Sequence, residues 1–265
     1  MKKWYAANIL PEEYFQKIHD ASLKILQETG VVFHSDLALE IFKQHGARVE
    51  GQRVYLSPEM VENALQQCPH QFTWEARDPQ YTVTVGDGSL LIQPNVGPVY
   101  VQDIERGRRQ ATLEDYANII KLCHASSEVQ LNGGIPVDPQ DVPVNKKHLH
   151  IMYQILKNTT KPVLGTCTDR ETVKTMLEMT AVALGRPGNL QQSHVIGVLV
   201  NPLSPLSYSQ ETADTMIEYS RQNQILLLAP CIMAGITGPI SQLGTAVLQN
   251  TELLAGITLA QLVNP

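Results

Sequence analysis

The apolar positions of this chain follow one pattern before about residue 87 and another after it. In residues 11–29, Tyr14, Ile18, Ala21 and Ile25 recur at helical spacing, and Gly30 follows as a stop. Residues 35–45 predict a second helix capped by Ser35, with Gly46 beyond it. Arg53-Val54-Tyr55-Leu56 reads as a short strand, and Ser57-Pro58-Glu59 opens a third helix with proline in its first turn. The runs FTWEA and YTVTVGDGSLLIQ come next, and Gly86-Asp87-Gly88 predicts a tight hairpin. Residues 1–87 are thus expected to form a cap of helices and a small antiparallel sheet.

From residue 88 the pattern repeats. Apolar, strand-like runs occur at 89–95, 129–134, 161–167, 193–201 and 225–233, and helical patterns separate them at 112–126, 145–158, 169–185, 208–223 and 240–263. Thr112 to Asp115 and Thr168 to Glu171 both have the spacing of a capping box. Strands too apolar to face water, each followed by a helix, imply a parallel sheet covered by helices. The stretch QPNVGPVY after the first run carries no GxGxxG fingerprint, which disfavours a dinucleotide-binding sheet and favours a TIM (β/α)8-type barrel. Five units are fewer than the eight a closed barrel needs. The α/β expectation for residues 88–265 is therefore the N-terminal part of a (β/α)8 catalytic barrel, truncated after about five units. An open five-stranded sheet is the alternative.

In parallel α/β folds the carboxyl ends of the strands form the binding face. Those ends carry Gln93 and Asn95, then Asn132, then Thr166, then Asn201 and Ser204, then Met233. In the stretch VLVNPLSPLSY an apolar run stops at Asn201, and two prolines stiffen the loop that carries Ser204 and Tyr208. Tyr100 and Tyr208 are the aromatics nearest in sequence to the first and fourth strand ends. Carboxylates and imidazoles are missing from these ends, so no catalytic residue is assigned.

Composition removes several function classes. The chain has 265 residues, 43% hydrophobic and 17% charged, with a net charge of −6. No Lys/Arg run exceeds two residues, so neither nucleic acid nor an anionic membrane is an expected partner. No apolar run approaches the roughly 18 residues of a membrane span, and the start has no apolar signal core, so a cytoplasmic protein is expected. Cys68, Cys123, Cys167 and Cys231 form no CxxC pair, and free, mostly buried thiols are expected. His148 and His150 diverge by about 200° on a helix, and no HExxH motif occurs, so no metal site is expected.

The segments VNPLSPLSY and LAPCIMAGITGPISQLGTAVLQNTELLAGITLAQLVNP resemble the trimethylamine methyltransferase family of corrinoid-dependent methyltransferases. PNVGPVYVQDIERGRRQATLEDY and the stretch around 141–165 agree with that resemblance. It implies a barrel enzyme that moves a methyl group from a methylated amine to the cobalt(I) of a separate corrinoid protein, with no cofactor bound by this chain. Family members are considerably longer, and the pyrrolysine of the founding members would lie beyond Pro265. The characterised members without pyrrolysine act on quaternary amines such as glycine betaine, so a betaine-type substrate is favoured over trimethylamine. A barrel-derived binding protein without catalysis is the alternative. A homo-oligomer is expected.

The neutral strand ends suit that chemistry. A quaternary ammonium leaves as a neutral tertiary amine and needs no general acid, so the protein must supply orientation and a desolvated, matched surround. Tyrosine faces and neutral oxygens hold a methylated cation at lower desolvation cost than a buried carboxylate does. The expected substrate-binding set is Gln93, Asn95, Tyr100, Asn132, Thr166, Asn201, Ser204, Tyr208 and Met233. No Arg or Lys ends a strand, so the clamp for a betaine carboxylate is expected from the missing half, beyond Pro265. Glu252 is the only charge in the last helical pattern and is left outside the set.

Overall fold

Residues 11–265 are described by the computed structural model; the first ten residues of the expected 1–87 cap lie outside the described residues. In chain order the elements are α1 (Glu12–Glu28), β1 (Val31–Phe33), α2 (Asp36–Gln44), β2 (Arg48–Glu50), β3 (Arg53–Tyr55), α3 (Pro58–Gln67), β4 (Phe72–Trp74), β5 (Val83–Val85), β6 (Tyr100–Asp103) and β7 (Gly107–Gln110). There follow α4 (Leu113–Ala125), β8 (Asn132–Gly133), α5 (Lys147–Asn158), β9 (Val163–Leu164), α6 (Arg170–Ala183), β10 (Ile196–Val200), β11 (Ser207–Tyr208), α7 (Gln210–Arg221), β12 (Ile225–Leu228) and α8 (Gln242–Val263). Among the described residues, 71–199 with 222–225 form one compact unit, and 11–70 with 200–221 and 226–265 form another.

The first unit is built on parallel strands. β8 pairs with β9 and β9 with β10, both parallel. α4 packs on α5 and α5 on α6. Their inward residues Tyr116, Ile120, Ile151, Met152, Ile155 and Met176 are fully buried. β4 and β5 form a separate antiparallel pair that delivers the Trp74 indole onto the sheet. Gly197 makes room for it, because a Cβ there would stand 2.5 Å from the ring. Lys161, just before β9, is buried and donates to the carbonyls of Cys123, Ser126 and Val129 at 2.6–2.9 Å, which satisfies groups at the end of α4.

The second unit holds a four-stranded sheet of order β11-β1-β3-β2, in which β1 runs antiparallel to β3 and parallel to β11. α8 packs against α1, α2, α3 and α7. Ser35 and Ser57 cap α2 and α3 by accepting from Ala38 N and Met60 N. Ser35 also donates to the buried carboxylate of Asp214 on α7.

The structure is mixed α/β with a parallel sheet and eight α-helices among the described residues, and it corrects the sequence reading in several places. The run expected as a strand at 89–95 forms none: Ser89 makes an isolated bridge, the carbonyl of Ile92 takes Gln130 N and Leu131 N, and Pro94 has no N–H to give. The Gly86–Gly88 step bends the chain, but the hairpin partner of β5 is β4, before it in sequence. α6 is capped by Asp169 accepting from Thr172 N, one residue later than the expected Thr168. The thiols, expected to be mostly buried, are half-buried at Cys68, Cys123 and Cys167 and exposed at Cys231.

Candidate functional site

In the first unit the carboxyl ends of β8 and β9 carry a rim of loops. Gly133, the last residue of β8, has φ +124°, a conformation side chains disfavour, and its Cβ position is filled by Leu164 of β9. Gly134 N then donates to Leu164 O at 2.8 Å. The chain after β8 supports the feet of a hairpin. Gly97 N donates to Ile135 O, Asp138 N to Pro98 O and Gln140 N to Ala111 O, at 2.8–3.0 Å. From these feet β6 and β7 rise as an antiparallel pair with Val101 opposite Arg109 and Gln102 opposite Arg108.

One face of the hairpin is bolted down. Arg109 reaches both oxygens of Asp115, at 2.5 and 2.7 Å, and one oxygen of Asp103 at 3.2 Å. Asp115 also closes the capping box of α4 with Thr112, so one carboxylate serves a helix start and a hairpin together. The hydrogen bond from Arg109 and those from Thr112 hold the Asp115 carboxyl well below the usual carboxylate range despite its partial burial. A carboxyl lowered in this way adds stability that is present above its ordinary value of 3.8 and is lost as pH falls through the depressed value. Taking the protein from about pH 6 to about pH 2 should therefore speed amide exchange in residues 100–110 more than in α5, after correction for intrinsic rates. Asp115→Asn should show the faster exchange already at the higher pH.

Five of the nine expected site residues lie in this unit. Gln93 is half-buried and Asn95 exposed, two residues before the Gly97 foot. Tyr100 is exposed on β6 with the Arg108 guanidinium 4.4 Å from its ring centre. Asn132 is fully buried; its Nδ2 donates to Ile120 O at 2.9 Å, and its Oδ1 has no hydrogen-bond partner. Thr166, buried beyond the end of β9, lies 2.8 Å from His148 Nδ1 and donates to Met176 Sδ at 3.4 Å. Asn95 and Tyr100 thus lie open on the rim, while Thr166 turns its hydroxyl to His148 of α5 and Met176 of α6 and Asn132 its amide nitrogen to α4.

The other four lie in the second unit, three of them in one loop. Asn201 is exposed and donates to the carbonyl of Ala229. Ser204 donates to Glu252 Oε2 and Leu206 N to Glu252 Oε1, both at 2.8 Å, and the Tyr208 hydroxyl donates to Glu252 O at 2.7 Å. Leu206 itself has φ +53°, a left-handed backbone that these bonds hold in place. Tyr208 is buried and stacked on Phe33, with ring centres 4.9 Å apart. Met233 is exposed in the turn after β12, where its carbonyl accepts from Ile236 and Thr237 N at 3.0 Å. The loop that the prolines stiffen is therefore clamped to α8 by one residue.

That residue, Glu252, is fully buried with no cation among the described residues paired to it, and burial raises its carboxyl above the usual range against the pull of Leu206 N and Ser204. Sequence reasoning left it outside the site, although its isolation in a 22-residue apolar helix was the available signal. Asp115 was read only as part of a capping box and Arg109 was missed, because their pairing exists only once the hairpin has formed.

These features define the class: an α/β protein whose parallel strand ends carry amides and hydroxyls. Among its described residues no cluster of three His, Cys, Asp or Glu is placed to hold a metal ion. No described helix is long and apolar enough to cross a membrane. The chain belongs to the trimethylamine methyltransferase (MTTB) family, whose model matches residues 1–265. It is 39% identical over 258 residues to glycine betaine methyltransferase of Desulfitobacterium hafniense strain Y51, covering 97% of this chain and 54% of that protein. It is 30% identical to trimethylamine methyltransferase MttB of Desulfitobacterium hafniense strain DSM 10664 / DCB-2, covering 96% and 51%. To proline betaine:corrinoid methyltransferase of Eubacterium limosum it is 29% identical, covering 94% and 52%. The chain spans about half the length of the curated relatives it matches.

Proposed function

We propose that the whole protein moves a methyl group from a quaternary amine of the betaine type to the cobalt(I) of a separate corrinoid protein. The observation that carries this reading is the 39% identity to a glycine betaine methyltransferase along 97% of the chain. In the reaction the carbon–nitrogen bond breaks and its electron pair stays on nitrogen, which leaves as a neutral tertiary amine. The cobalt(I) electron pair forms the new carbon–cobalt bond, so no proton moves. The protein's task is then to hold the cation dry and in line.

Under this reading the corrinoid belongs to the partner, and the parallel sheet is the opening part of a (β/α)8 barrel with residues 1–87 as its cap. Asn95 and the unpaired Oδ1 of Asn132 offer negative oxygen ends to the cation. Gln93, Tyr100 and Thr166 join them in the proposed set of the first unit, and Asn201, Ser204, Tyr208 and Met233 are the proposed residues of the second. Tyr208 and Ser204 act from behind, by fixing the loop that presents Asn201. The test mixes the whole protein with cob(I)alamin or its corrinoid protein and a panel of betaines. Glycine betaine or a close analogue is expected to convert the cobalt(I) spectrum to that of methylcobalamin. If no quaternary or tertiary amine changes the spectrum, the reading fails, and calorimetric binding without turnover would point to a binding protein.

A further inference from the structure

The β6–β7 hairpin carries two adjacent arginines with opposite fates. Arg109 points to the bolted face and spends its guanidinium on Asp115 and Asp103. Arg108 points to the other face, with Tyr100, Gln102 and Gln110, all exposed. There it lies over the Tyr100 ring at 4.4 Å, and no carboxylate among the described residues is paired with it.

A guanidinium stacked on an aromatic ring uses its flat face and leaves its N–H fork open at the edge. That fork matches the spacing of a carboxylate's two oxygens, and the stack removes part of the side-chain entropy that binding would otherwise cost. The position fits as well. Both feet of the hairpin are bonded to the segment that follows β8, so Arg108 stands at the carboxyl-end rim of the parallel strands. The Arg109–Asp115 tie keeps that stand rigid from behind.

We infer that Arg108, held over Tyr100, is the carboxylate-binding group for a zwitterionic methylated amine and so sets the preference for betaines over amines without a carboxylate. This rests on the methyl-donor reading above. It also supplies the clamp that the strand ends lack. The ring face of Tyr100 that Arg108 covers is then closed to the substrate ammonium, which falls instead to the neutral oxygens of the rim.

The experiment is calorimetric titration of the whole protein and of Arg108→Gln and Arg108→Lys with two probes. Glycine betaine has both charges; tetramethylammonium keeps the cation and lacks the carboxylate. Arg108→Gln is expected to weaken glycine betaine about 10- to 100-fold while moving tetramethylammonium less than about 2-fold. Arg108→Lys, which keeps the charge without the fork, should fall between. Unchanged betaine binding in Arg108→Gln, or an equal loss for both probes, overturns the inference. A raised KM for the corrinoid protein with betaine affinity intact also overturns it, and assigns the fork to an acidic partner surface. If the unmutated protein binds betaine and Arg108→Gln binds it equally, only this inference falls. If the unmutated protein binds neither probe, the methyl-donor reading falls and takes this inference with it.

Discussion

Gly133→Ala is expected to cost about 4 kcal/mol of stability. Two costs add at this residue. The backbone sits at φ +124°, where a Cβ is strained whatever space surrounds it, and the Cβ position is already taken by the main chain of Leu164. A main-chain carbonyl cannot rotate away as a long side chain could, so β8 and β9 must separate. Their pairing is only Asn132 to Val163 and Gly133 to Leu164, and the next bond, Gly134 N to Leu164 O, depends on the same geometry. Urea denaturation should show the loss as a lower midpoint, with the hairpin above β8 losing exchange protection first. A change below about 1 kcal/mol would mean that the strands part easily and that the rim is not rigid.

The second large effect is expected at Glu252, where two substitutions separate hydrogen bonding from charge. Glu252→Ala removes the acceptors of Leu206 N and Ser204 Oγ in a buried setting and should cost about 3 kcal/mol. Glu252→Gln keeps an oxygen for Leu206 N and presents an amide to Ser204, whose hydroxyl can turn to accept; its cost at neutral pH should be below about 1 kcal/mol. The pH dependence gives a separate reading. A carboxyl raised by burial contributes stability that is fully present below its ordinary value of 4.5 and is lost as pH rises through the raised value. Glu252→Gln should therefore gain on the unsubstituted protein as pH rises from acid to neutral, in denaturation curves taken across that window. A Gln variant as damaged as the Ala variant at neutral pH would show that the negative charge itself holds the loop.

Much of this architecture was legible in the sequence, for reasons that differ between elements. α4, α5, α6, α7 and α8 all fall within two residues of their expected bounds, because apolar spacing and caps such as Thr112 are local signals. The runs around 163 and 196 became parallel strands because their neighbours in sequence are also their neighbours in the sheet. The run at 89–95 looked equally apolar, yet it formed no ladder with β8. β1 and β11 were invisible for the opposite reason: a three-residue and a two-residue strand pair across about 175 residues, and no local pattern encodes that. For the candidate site, the sequence located the strand-end polar groups. It could not tell that Asn132 and Tyr208 are buried and that Asn95 and Asn201 are open. Nor could it separate Arg108 from Arg109, since alternation along a hairpin assigns faces only after the register is known.

Lys161 has a consequence of a different kind. Its three N–H bonds all go to peptide carbonyls, so its charge is balanced by the dipoles of a chain end and not by an anion. Dissolved salt weakens attraction between opposite ions and acts little on a buried ammonium wrapped in main-chain oxygens. At high ionic strength the partly exposed Arg109 pairs would slacken while the start of β9 stayed tied to the end of α4. The molecule thus keeps its inner strands anchored by a means indifferent to the medium, and leaves sensitivity to counter-ions to the rim.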